Sequence, residues 1–92
     1  MLPMTEPERL PPPPFWRTWY YENRVLRKAD RKWLVSEDIV KVLAHPIRTQ
    51  VQGDGRIRHW AYIPHLKAYI RVVTLADGQT VHNAFKDRDF RP

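Results

Sequence analysis

The chain has 92 residues, room for one small domain, and a domain of this size buries only roughly 60% of the surface its unfolded chain exposes, so its core is thin. It has no cysteine, which excludes a disulfide framework and a thiolate zinc site and fits a reducing cytosol. Lys and Arg number 16 against 10 Asp and Glu, a formal charge of +6 that favours a polyanionic partner, nucleic acid first and an acidic protein second.

No apolar run approaches the roughly 18 residues of a membrane span, and MLPMTEPERL lacks the order of a signal peptide, so the expectation is a cytoplasmic protein without a membrane partner. Residues 1–14 hold six of the nine prolines, including the run Pro11 to Pro14. Without N–H donors such a segment builds neither helix nor sheet ladder, and a disordered, extended tail is expected. Residues 15–92 are then a single domain.

From Phe15 to Leu34 a stripe at helical spacing runs through Trp16, Tyr20, Val25 or Leu26, Ala29 and Trp33. It reads as a helix, with an extended lead-in over the aromatic start as the alternative. The same stretch sets Arg17, Arg24, Arg27, Lys28, Arg31 and Lys32 against Glu22 and Asp30, either a solvated helical face or a row of phosphate contacts. In SEDIVKVLAHP, Ser36 is the expected N-cap, Glu37 and Asp38 suit the helix dipole, Ile39, Val42 and Leu43 form one apolar edge, and Pro46 ends the helix.

After Pro46 the period changes to two. Ile47, Thr49 and Val51 alternate with Arg48, Gln50 and Gln52 in a half-buried edge strand. A three-residue loop, Gly53-Asp54-Gly55, sets Val51 opposite Ile57; a two-residue loop would set it opposite Arg58, and the first keeps apolar residues together. The next strand puts Ile57, His59, Ala61 and Ile63 on a core face and Arg56, Arg58, Trp60 and Tyr62 on the other. Simple antiparallel register pairs Tyr62 with Tyr69 and Trp60 with Arg71. A hairpin at Asp77-Gly78 pairs Leu75 with Thr80 and Val73 with His82.

These registers gather Ile57, Ala61, Ile63, Ala68, Ile70, Val72, Val81 and Phe85 under the helices. The opposite face collects Arg56, Arg58, Trp60, Tyr62, Tyr69, Arg71, His82 and Lys86, with Val73 and Leu75 among them; rings stack bases and guanidinium groups grip phosphates. His45, His59, His65 and His82 show no metal spacing, Ser36 has no nucleophile elbow around it, and there is no phosphate loop, so neither metal nor cofactor is expected. What remains is chemistry needing neither metal nor protein nucleophile: RNA cleavage by its own 2′-hydroxyl, with His82 as acid or base and Arg58, Arg71 and Lys86 stabilising the phosphate. His59, on the core face, reads as a buried, satisfied histidine.

The order SEDIVKVL, proline, GRIRHWAYI, then YIRVVTLADGQTVHNAF is similar to small bacterial domains of the DUF4258 group, near the RelE-like and BrnT-like ribonuclease toxins. The resemblance covers roughly Arg24 to Phe85. It implies N-terminal helices against an antiparallel sheet, action on RNA and an antitoxin protein as partner. The family's second-strand arginine corresponds to Arg56 or Arg58, the arginine before the paired valines to Arg71, and the polar position of the last strand to His82. Many relatives carry a histidine ahead of the basic cluster, where this chain reads YYENRVLRKADRK without one.

The expectation is an α+β fold, one or two N-terminal helices on a four-stranded antiparallel sheet, binding RNA through Arg24, Arg27, Arg31, Arg56, Trp60, Tyr62 and Tyr69. Its enzymatic form is a metal-independent ribonuclease with His82, Arg58, Arg71 and Lys86 at the site. The alternative is a non-catalytic module whose basic aromatic face binds an acidic protein.

Overall fold

The computed structural model describes residues 17–28, 31–33 and 35–92. The expectation of a disordered tail over residues 1–14, and the stripe positions Trp16 and Ala29, lie outside the described residues. The fold is α+β. A π-helical turn, Tyr21–Val25, and helix α1, Ser36–Ala44, precede strands β1 (Arg48–Val51), β2 (Ile57–Ile63), β3 (Ala68–Thr74) and β4 (Val81–Lys86), with a 3-10 turn, Pro64–Leu66, between β2 and β3. The strands form one antiparallel meander in the order β1-β2-β3-β4. Among the described residues no helix is long and apolar enough to cross a membrane.

The helical layer supplies Tyr21, Val25, Ile39 and Val42 to the core, and the sheet supplies Ala61, Ile63, Ile70, Val72, Val81 and Ala84. The expected stripe is corrected at Tyr20, which is 39% exposed while its neighbour Tyr21 is buried. The Leu26 N–H donates to the Tyr21 carbonyl at 3.0 Å, five residues back, and the Lys28 and Arg31 N–H groups donate to the Val25 and Lys28 carbonyls. Tyr, Asn and Val are indifferent helix formers, and packing of Tyr21 and Val25 decides this segment more than propensity does.

In α1 the apolar edge faces inward as its spacing predicts, but the cap differs. Val35, extended at φ −128° and ψ 153°, holds the N-cap position with no side-chain cap bond. The Ser36 hydroxyl instead accepts from Arg17 Nη2 at 3.1 Å, which ties the helix start to the segment beside β4.

Two hairpin registers follow the expectation. Val51 faces Ile57 across a loop closed by the Gln52 N–H on the Arg56 carbonyl, with Gly55 at φ +91°, a conformation that suits glycine. Tyr62 pairs with Tyr69 and Trp60 with Arg71. The third hairpin departs from it. Leu75 bonds Thr80 and Thr74 pairs with Val81, but the register then slips and Val73 pairs with Asn83, leaving His82 as the extra residue of a bulge. Each side chain beyond the bulge therefore changes face relative to simple alternation. Ala84 enters the core opposite Val72, Phe85 lies on the open face opposite Arg71, and Lys86 lies on the helix side opposite Ile70. The expected places of Phe85 and Lys86 are thus exchanged, and His82 does not pair with Val73.

Candidate nucleic-acid interface

Register alone lays one row across the open face: Arg48, Trp60, Arg71 and Phe85, one from each strand. Cations and rings alternate along it. The Arg71 guanidinium lies 5.5 Å from the Trp60 ring centre and 4.7 Å from that of Phe85, and Arg31 approaches Phe85 from beyond β4 at 5.7 Å. In the next row Arg58 folds toward the sheet edge, donating from Nε to Gln52 Oε1 at 3.2 Å and from Nη1 to Gln50 Oε1 at 3.1 Å.

The open face is partly covered by the chain's own end. The Asp87 N–H donates to the Tyr69 carbonyl at 2.8 Å, and the chain then turns so that Phe90 stacks on Trp60, centroids 5.0 Å apart and planes 19° apart. Tyr69 packs against both Tyr62 and Phe90. Asp87 Oδ2 accepts from Trp60 Nε1 at 2.8 Å and from Arg71 Nε and Nη2 at 3.1 and 2.9 Å. Burial alone would raise the Asp87 pKa, but the Trp60 and Arg71 bonds and the Arg71 charge outweigh it and hold the carboxyl below its ordinary value. Trp60, expected as an open stacking platform, is in consequence only 5% exposed. Beside this strap lies a groove of about 430 Å³ lined by Arg48, Gln50, Trp60, Arg71, Phe90 and Arg91, among others.

His82 belongs to a different corner. Its Nδ1 shares a hydrogen bond of 3.0 Å with Thr18 Oγ1, which also accepts the Tyr21 N–H, and the Tyr20 ring stacks on the imidazole at 4.9 Å. Burial and then the Arg56 charge lower the His82 pKa, while Asp54 pulls the other way. Arg56 is itself paired with Asp54 at 3.5 Å.

Along the outer edge of β4, the Thr18 N–H takes the Val81 carbonyl at 3.1 Å and Arg31 Nε takes that of Ala84 at 2.8 Å. Arg24, Arg27, Lys28 and Lys32, from the same stretch, are exposed, and Arg24 lies over the ring of Trp19, which is 67% exposed. Among the described residues, none of these four cations has a carboxylate partner.

The expected site residues are therefore distributed over several surfaces. Arg71 sits on Asp87, Arg58 on two glutamines, and Lys86 across the sheet with Nζ 5.2 Å from the Trp33 ring centre. None of these is among the contacts around His82, whose charged neighbours are Arg56 and Asp54. Tyr62 remains 46% exposed, and Arg24 and Arg27 are open to solvent. His59 is buried against Thr74 Oγ1 at 2.9 Å, with its pKa lowered by burial. Sequence reasoning missed Asp87 and Phe90, which reach the open face only through contacts with the distant Trp60 and Arg71. It also missed Asp38, 1% exposed, whose carboxylate accepts from His65 Nε2 at 2.9 Å.

Comparison with protein-family models, with curated proteins and with solved structures finds no match to this chain.

Proposed function

We propose that the protein binds RNA, as the RelE-like resemblance implies, through the exposed cations beside β4 and the adjoining aromatic residues. The observation that carries this reading is the set Arg24, Arg27, Lys28 and Lys32, open to solvent without carboxylate partners among the described residues, beside the exposed Trp19 ring. Unneutralised cations gain by displacing the counterions of a polyanion, and an exposed indole offers a base a face to stack on.

In the enzymatic form of this reading His82 is the acid-base group. The 2′-oxygen attacks the adjacent phosphorus, its proton passes to a base, and the 5′-oxygen leaves with a proton from an acid, giving a 2′,3′-cyclic phosphate and a 5′-hydroxyl. Lowered pKa keeps the His82 imidazole neutral at pH 7 and able to take a proton, and Arg56 is the cation nearest to that role. The second reading, a non-catalytic module for an acidic protein such as an antitoxin, is favoured by a different observation. Helix α1 lies over β2 and β3, so Ile47 and Val51 at the β1 edge are 54% and 68% exposed.

One experiment separates the readings. Affinity for a mixed-sequence single-stranded RNA is measured in EDTA across a salt series, with cleavage products examined in parallel for wild type and His82→Ala. Phosphate contact gives a linear loss of log affinity with log salt, and Arg27→Ala/Lys28→Ala/Lys32→Ala flattens the slope by about 2, at roughly 0.7 per phosphate on single strands. A slope unchanged in the triple variant refutes the proposed surface. Cyclic-phosphate ends lost in His82→Ala support cleavage; intact RNA with a steep salt slope leaves binding without catalysis.

A further inference from the structure

We infer that the Trp60 ring and Arg48 form a nucleotide subsite, base on indole and phosphate on guanidinium, whose base position is held in the folded chain by the ring of Phe90. The inference rests on the RNA-binding reading and names a unit of its ligand. Phe90 lies on Trp60 in a near-parallel stack, 5.0 Å between centroids and 19° between planes, the arrangement a purine would adopt on the same face. The Arg48 guanidinium lies over the Phe90 ring, 5.0 Å from its centre, so beside a base in that place it is the cation offered to that nucleotide's phosphate. Among the described residues Arg48 has no carboxylate partner, and its hydrogen bond is to the Arg91 carbonyl at 3.2 Å.

Two features make the cover separable from what lies beneath it. Trp60 is fixed at its edge by its Nε1 bond to Asp87 and by Arg71 beside its ring, so the platform does not depend on Phe90 for its orientation. Beyond Asp87, by contrast, the strap makes no backbone hydrogen bond to a strand among the described residues; the Phe90 N–H turns back to the Asp87 carbonyl at 3.4 Å. Past Asp87 the segment is held by the Phe90 ring, packed on Trp60 and Tyr69, and by the Arg48 bond to the Arg91 carbonyl; displacing it costs those contacts, and a base on Trp60 restores the stacking it removes. Exchange of one ring for another is near balance, and the phosphate on Arg48 tips it.

The test is NMR of the Trp60 indole N–H, assigned with Trp60→Phe, during titration with adenosine 5′-monophosphate. A ring open in about one molecule in ten binds with about tenfold lower apparent affinity, and Phe90→Ala is expected to raise affinity by a factor on that order. Adenosine is expected to bind more weakly than its monophosphate, and Arg48→Ala to remove that difference. A Trp60 resonance unmoved by the nucleotide in folded Phe90→Ala overturns the subsite, and a phosphate preference that survives Arg48→Ala overturns the role of Arg48. Should Phe90→Ala fail to fold, Phe90→Leu keeps the burial without the aromatic stack and is judged by the same resonance. Failure of the RNA reading is recognised separately, by salt-insensitive or absent binding of the oligonucleotide to wild type.

Discussion

Replacing Asp87 by alanine should lower stability by about 3 kcal/mol. The carboxylate is 8% exposed and its Oδ2 holds three donors, so its removal leaves two different groups unpartnered. The buried Trp60 N–H loses its only hydrogen-bond acceptor among the described residues, at about 1–3 kcal/mol. Arg71, whose side chain is 23% exposed, turns partly to water and adds about 1 kcal/mol instead of the several expected of a fully buried ion. For a chain of this length each kcal/mol moves the midpoint by about 4–8 °C, so a fall in Tm of about 12–24 °C is expected by thermal circular dichroism. Asp87→Asn keeps an acceptor for Trp60 and should cost about half as much. Because the folded carboxyl titrates below its ordinary value of 3.8, its stabilisation is complete above that value and is lost as pH falls through the folded pKa. The difference between wild type and Asp87→Asn should therefore close in acid. An alanine variant within about 0.5 kcal/mol of wild type would refute the assignment of Asp87 as the anchor of the strap.

Two histidine pairs, His59 with Thr74 and His65 with Asp38, give further tests. His59 is neutral in the folded state and its pKa lies below 6.5, so stability should be constant above that pH, begin to fall below it and stop falling under the folded pKa. The slope is at most about 1.4 kcal/mol per pH unit for each extra proton the unfolded chain takes up. His82 shifts in the same direction, so the check is a denaturant midpoint measured from pH 7.5 to 5 in wild type and His59→Gln, which should show the shallower dependence. His65→Ala leaves the nearly inaccessible Asp38 carboxylate without its side-chain donor and should cost about 2 kcal/mol; Asp38→Asn/His65→Ala together should cost less than the sum, and strict additivity would argue against the pair.

The parts of the fold that were legible in the sequence are those decided locally. The apolar edge of α1, the Gly53-to-Gly55 loop and the pairing of Tyr62 with Tyr69 each follow from spacing and turn chemistry within a few residues. Features that depend on distant partners were not legible. Ser36 has the right identity for an N-cap, yet Arg17, nineteen positions earlier, uses its hydroxyl. The aromatic stripe has helical spacing, but which ring turns inward is settled by the fit of Tyr21 and Val25 on the sheet.

The open face shows the same limit with a larger consequence for function. Composition and alternation correctly put Trp60 and Arg71 side by side, and from there the inference to an exposed stacking surface needs only that nothing covers them. Asp87 and Phe90 do cover them, and they come to that face because the bulge at His82 reverses the alternation of β4 just before the chain end. Without the extra residue, Phe85 would face the helices and Lys86 the open side. The bulge thus assigns three surfaces at once: it sends Phe85 into the cation-ring row, turns Lys86 toward Trp33, and leaves His82 free to meet Thr18 and Tyr20. One inserted position separates the histidine from the arginines with which simple alternation had grouped it, so His82 and Arg71 do not assemble into one cluster on the open face.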